Sequence, residues 1–100
     1  MKIGIDISVV EENLDMVLFM RDLLKSKIDV VVLSHPIQDA NQEFNWVEVQ
    51  TGANVIQTGE APRSKMYTAE DMELDVYFTD NIDDREYLSK ETKVNAILVV

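Results

Sequence analysis

Five short apolar runs rich in β-branched residues, separated by segments with helical spacing, constrain this chain more than any other feature. They fall at residues 3–7, 28–33, 54–57, 74–79 and 96–100. Most are continuous rather than alternating, as expected of strands buried on both faces. Over residues 12–25, Leu14, Val17, Leu18, Met20, Leu23 and Leu24 recur at three and four, with acidic residues early and basic residues late, which suits the helix dipole. Ala40, Phe44 and Val47 indicate a second helix over residues 39–49. Residues 58–65 read as a loop, residues 67–72 as a helical turn or two, and residues 81–93 as a helix with Ile82 and Leu88 on its buried side. Strands alternating with helices predict right-handed parallel crossovers. The expected fold is a three-layer, doubly wound, Rossmann-like α/β sheet, mostly parallel. With the first two helices on one face and the later two on the other, the strand order is 3-2-1-4-5, and ligands bind between the first and fourth strands, where that order reverses.

Length and composition narrow the function classes. A chain of 100 residues is expected to form one domain with no accessory cap. Nine Lys plus Arg against 19 Asp plus Glu give a formal charge of -10, a field that repels polyanions and predicts no nucleic-acid partner. With no cysteine and one histidine, neither a disulfide framework nor a thiolate or histidine-rich zinc site can form, so oxygen ligands must hold any metal. The sequence shows neither a leader pattern nor about 18 consecutive apolar residues, which gives the expectation of a cytoplasmic protein with no membrane partner. The apolar run 96–100, placed at a sheet edge, predicts cover by a second subunit and hence a homo-oligomer.

Chemistry-bearing residues collect at the carboxyl ends of these runs. Asp6 closes the first, Ser34 follows the second, and Asp80 follows the fourth with Asp83 and Asp84 behind it. Arg63 and Lys65 lie in the segment before the fourth run. A carboxylate at the end of a central strand can attack phosphorus, provided cations neutralise the two negative partners. A lysine on the phosphoryl group and a magnesium ion held by carboxylate oxygens meet that need. Ser34 can add a hydroxyl and a backbone N–H without adding charge.

Each residue also has a structural reading: Asp6 as a turn cap, Ser34 as a turn residue before His35-Pro36, Lys65 as a solvated surface group, and Asp80, Asp83 and Asp84 as charges at a helix start. His35 reads first as a loop or packing residue, and Trp46 and the five methionines as core or partial core. The order in which the set occurs along the fold is what joins it into a site.

In that order the chain resembles a small, capless, nucleotidase-like member of the haloacid dehalogenase superfamily over essentially all 100 residues. Ile3-Gly4-Ile5-Asp6 is similar to the first motif, Val32-Leu33-Ser34 to the second, Lys65 to the third, and residues 76–84 to the fourth. The resemblance implies a magnesium-dependent phosphohydrolase acting on a small phosphorylated molecule. Asp6 would be nucleophile and metal ligand, Ser34 and Lys65 would hold the phosphoryl group, and Asp80, Asp84 and the backbone carbonyl of Ser8 would hold Mg2+; Arg63, on the same loop as Lys65, is a candidate further phosphate contact. Ser8 also stands where the family's phosphatases carry a second aspartate that protonates the leaving oxygen. A serine supplies no such acid near neutrality, a loss of roughly 10²–10⁴-fold. The alternative is a non-catalytic module of the same fold that binds or regulates.

Overall fold

The computed structural model describes residues 1–11, 13–36 and 40–100, with residues 40–45 described by backbone alone. In chain order the elements are β1 (Lys2–Asp6), α1 (Ile7–Val10), α2 (Leu14–Lys25), β2 (Asp29–Ser34), α3 (Ala40–Thr51), β3 (Asn54–Gln57), α4 (Ser64–Asp71), β4 (Val76–Thr79), α5 (Ile82–Glu91) and β5 (Asn95–Leu98). The five strands form one sheet in the order β3-β2-β1-β4-β5, and every pairing is parallel. The fold is therefore a Rossmann-like three-layer α/β sheet with the expected strand order. The expected starts of the first two helices, Glu12 and Asp39, lie outside the described residues.

Strand alternation divides the core. Ile3, Ile5, Val30, Val32, Val76 and Phe78 face one layer, where they meet Val17 and Met20 of α2 and Val47 of α3. Leu33, Tyr77 and Ala96 face the other, against Met66 and Ala69 of α4 and Leu88 of α5. Continuous apolar runs are what a sheet covered on both sides requires.

Gly4 is the exception inside β1. A Cβ there would collide with Leu74 Cδ1 and lie 3.1 Å from Tyr77 Cδ1, so the missing side chain is what lets Leu74 and the Tyr77 ring cross the strand. Tyr77 is paired with Gly4 in register and is fully buried. We expect Gly4→Ala to destabilise the fold by about 1–3 kcal/mol through overpacking, measured as a lowered urea midpoint with an unchanged denaturant slope.

Several elements differ from their sequence-based expectation. Ile7 leaves the strand and opens α1, a single turn capped by the Asp6 side chain, which accepts from Ser8 N at 3.2 Å. Lys65 lies in the first turn of α4 rather than in a loop, because α4 begins at Ser64, two residues after Pro62. In α2 the buried seam is Val17 and Met20 with Met16, Leu23 and Leu24 beside it, and Leu14 and Leu18 are exposed. Ile82 is not on the buried side of α5 but 59% exposed; Asp84 and Leu88, four apart, take that side. Trp46 is exposed on α3, while Met20 and Met66 are fully buried. Among the described residues no helix is long and apolar enough to cross a membrane.

Candidate functional site

β1 and β4 are neighbours, and the helices that follow them, α2 and α5, pack on opposite faces of the sheet. A crevice opens at the carboxyl ends of such a strand pair, since the two chains depart in opposite directions. Asp6 ends β1 and Asp80 follows β4, so both stand at its lip.

Asp6 is 1% exposed and its carboxylate is enclosed by donors. Oδ1 accepts from Lys65 Nζ at 2.8 Å and from Ser8 N; Oδ2 accepts from Thr79 Oγ1 at 3.2 Å. The Lys65 side chain is 14% exposed, so the ion pair is largely shielded from water. It brings α4 onto the end of β1. Thr79 Oγ1 in turn accepts from Asn81 N, and Asn81 Oδ1 caps α5 by accepting from Asp84 N at 3.0 Å. These links fix the start of α5 relative to Asp6.

That cap sets Asp84 into the protein. Asp84 is 2% exposed, and its Oδ2 is buried with no hydrogen-bond partner. Burial raises its pKa above the ordinary carboxylate range, the charge of Asp6 and then Asp83 adds to the rise, and Lys65 and Arg63 oppose it. An orphaned buried carboxylate oxygen carries a large desolvation penalty. The Tyr77 hydroxyl is likewise buried and unpartnered; burial, then Asp6, Asp84 and Asp80, raise its pKa.

Ser8 Oγ donates to Asp80 Oδ1 at 2.8 Å, closing the rim between the ends of β1 and β4. Asp6, Ser8, Lys65 and Asp80 are thus joined by direct hydrogen bonds, with Asp84 coupled to them through its field. Ser34 is buried at the end of β2, but its hydroxyl donates to the carbonyl of His35 at 2.9 Å. By strand alternation it follows Val30 and Val32, which face the α2 and α3 layer. Arg63 lies over the Tyr87 ring at 5.9 Å, close enough to stabilise the charge of Asp84. His35 Nδ1 is 2.9 Å from the carbonyl of Gly59, which makes it part of the loop scaffold. Thr79 is the site residue that sequence reasoning passes over. Its signal is position: two residues after Tyr77, it points to the same face as Asp6.

Among the described residues no three His, Asp or Glu side chains converge closely enough to hold a metal ion by themselves. Magnesium ordinarily retains several waters and is bound through one or two carboxylates plus phosphate oxygens. Asp84 Oδ2, orphaned and in the field of Asp6, fits that sparser arrangement, with Lys65 and Arg63 as the opposing cations.

No family model matches the chain, and no curated protein matches it. The class defined by this architecture is the Rossmann-like α/β fold with an acidic, lysine-bearing crevice at its switch point.

Proposed function

We propose that the chain is a magnesium-dependent phosphohydrolase of the haloacid dehalogenase type, acting on a small phosphorylated molecule through an aspartyl-phosphate and slowed at Ser8. The observation that carries this reading is the buried Asp6 carboxylate held 2.8 Å from Lys65 Nζ, with the unpartnered Oδ2 of Asp84 in the same field. Structural ion pairs are normally built to balance. Here Asp6, Asp80 and Asp84 outnumber Lys65 and Arg63 at the position where ligands enter such sheets, which favours a bound cation.

In the proposed cycle an Asp6 oxygen attacks phosphorus, and the bond from phosphorus to the alcohol oxygen breaks with its electron pair leaving on that oxygen. The departing oxygen takes a proton from water, because Ser8 offers no acid. Water then attacks the aspartyl-phosphate, releasing inorganic phosphate and restoring the Asp6 carboxylate. Lys65 offsets the charge on Asp6 and the phosphoryl oxygens, and Thr79 and the Ser8 N–H hold the Asp6 carboxylate in a fixed orientation. Ser34 and Arg63 would reach the phosphoryl group only by releasing the His35 carbonyl and the Tyr87 ring. Asp6 and Asp84, with Asp80 and the Ser8 carbonyl at the rim, would hold Mg2+, which supplies charge neutralisation for the incoming phosphate.

The second reading, a non-catalytic binding module, is favoured by Ser8, which offers no acid near neutrality and whose hydroxyl is engaged with Asp80. Incubation with Mg2+ and p-nitrophenyl phosphate separates the two. Slow but sustained release of inorganic phosphate is expected from the enzyme; thermal stabilisation by Mg2+ and phosphate with no release would establish the module instead.

Asp84 supplies an independent check. Its pKa is higher in the folded protein than in the unfolded chain, so the folded state binds the proton more tightly. The stability gained is full below the ordinary carboxylate range and is lost as the pH rises through the raised value. At neutral pH without metal, Asp84→Asn should therefore raise the melting temperature by on the order of 5 °C. Mg2+ should raise that of the wild type and not of the variant, as read by calorimetry across a pH series.

A further inference from the structure

Among the described residues three side-chain polar atoms are buried without a hydrogen-bond partner: Tyr77 Oη, Asp84 Oδ2 and Arg85 Nε. Arg85 pairs with Glu86 at 3.0 Å through the rest of its guanidinium, and its side chain is 43% exposed. The other two belong to one layer. Tyr77 of β4 shares a core cluster with Leu88 of α5, and Asp84 stands one turn before Leu88 on the buried side of that helix. The charges of Asp6, Asp84 and Asp80 all act on the Tyr77 hydroxyl, which places it where these carboxylates gather. The ring reaches that place by crossing β1 at Gly4, where a Cβ would lie 3.1 Å from Tyr77 Cδ1.

Resting on the phosphohydrolase reading, we propose that Tyr77 is a positioning residue of the cation site: its hydroxyl donates to Asp84 Oδ2 when a cation seats on that carboxylate. A cation on one oxygen leaves the group ionised, and the second oxygen, in a residue 2% exposed, then needs a donor. The other side chains that carry donors around Asp6 are engaged. Lys65 Nζ and Thr79 Oγ1 donate to Asp6, Ser8 Oγ donates to Asp80, and Arg63 lies over the Tyr87 ring. Contacts of this kind are often long in an unloaded site and close on loading. A phenol suits the position because it adds a donor without adding a charge, and burial among carboxylates keeps its proton in place. Around it Leu33, Met66, Ala69 and Leu74 are apolar, so phenylalanine would fill the same space and packing alone gives the oxygen no use.

The test is calorimetric titration of Mg2+ into the wild type, Tyr77→Phe and Tyr67→Phe. Tyr77→Phe keeps the ring and removes one oxygen, so the fold should stand, as read by far-UV circular dichroism and the melting temperature without Mg2+. Its affinity for Mg2+ should fall on the order of tenfold, the scale on which groups bonded to a metal ligand act. Tyr67 is 48% exposed on α4, and loss of its hydroxyl should leave the affinity unchanged. In protein isotope-labelled at tyrosine Cζ, the NMR resonance that Tyr77→Phe deletes should move as Mg2+ saturates the wild type. Equal affinity in the wild type and Tyr77→Phe, or a resonance that stays fixed at saturation, would overturn the assignment and leave the phosphohydrolase reading standing. Equal weakening in Tyr67→Phe would overturn it as well. Mg2+ binding that depends on Tyr77, with no phosphate released by the wild type, would support the assignment and remove the phosphohydrolase reading. No Mg2+ binding by the wild type would remove both.

Discussion

Asp6→Asn is expected to abolish phosphoryl transfer, lowering phosphate incorporation from acetyl phosphate by on the order of 10³-fold or more. The amide retains an oxygen for Ser8 N–H, and it occupies nearly the same volume in a position 1% exposed. It removes the negative charge proposed to attack phosphorus. It also removes one of the charges raising the Asp84 pKa, which offsets part of the cost of leaving Lys65 without its ion-pair partner, and an unchanged far-UV circular dichroism spectrum separates loss of incorporation from unfolding. Mass spectrometry of the intact protein, before and after acid treatment, measures the effect. Labile phosphate persisting in Asp6→Asn would place the acceptor elsewhere.

Ser8→Asp should raise turnover by on the order of 10²-fold, within the range that general acid–base catalysis supplies. The structure adds a reason specific to this chain. Ser8 Oγ already donates to Asp80 Oδ1 at 2.8 Å, so an aspartate there would face a second carboxylate. Two carboxylates at that separation share a proton, which holds one in its acid form at higher pH than either alone. A proton would then be available for the leaving oxygen. The expected signature is a larger gain for alkyl esters, whose leaving groups need protonation, than for p-nitrophenyl phosphate, whose leaving group does not. Equal gains on both would show that the substitution acts through packing or affinity.

Much of the architecture was legible because burial on both faces leaves a plain mark: uninterrupted β-branched runs such as Val30-Val31-Val32-Leu33 have few other uses. The strand order followed from which helices share a face. What escaped the sequence depended on contacts between distant residues. Ile7-Ser8-Val9-Val10 has strand-like composition but turns into α1, since the Asp6 carboxylate accepts the Ser8 N–H and starts a helical turn. Ile82 looks like a core residue until the Asn81 cap fixes the phase of α5 and gives the buried stripe to Asp84 and Leu88.

The candidate site divides in the same way. Asp6, Asp80 and Asp84 declare themselves by standing at or after strand ends, and Lys65 reaches Asp6 although it lies 59 residues away and on a helix rather than a loop. Thr79 is silent because threonine in a β-run is an ordinary strand former. Only the pairing of β1 with β4 brings its hydroxyl to Asp6. Ser34 carries the opposite lesson. Its strand-end position is as suggestive as that of Asp6, yet alternation along β2 gives it the other face and its hydroxyl turns to the His35 carbonyl.

The central claim is that Asp6 is a phosphoryl acceptor. It is tested most directly by a crystal structure of the protein grown with Mg2+ and beryllium fluoride, which mimics a phosphoryl group on a carboxylate. Density bonded to an Asp6 oxygen, with Lys65 on a fluoride and a cation against Asp84, is the predicted result. An Asp6 carboxylate still paired only with Lys65, Ser8 and Thr79, under saturating beryllium fluoride, would contradict it.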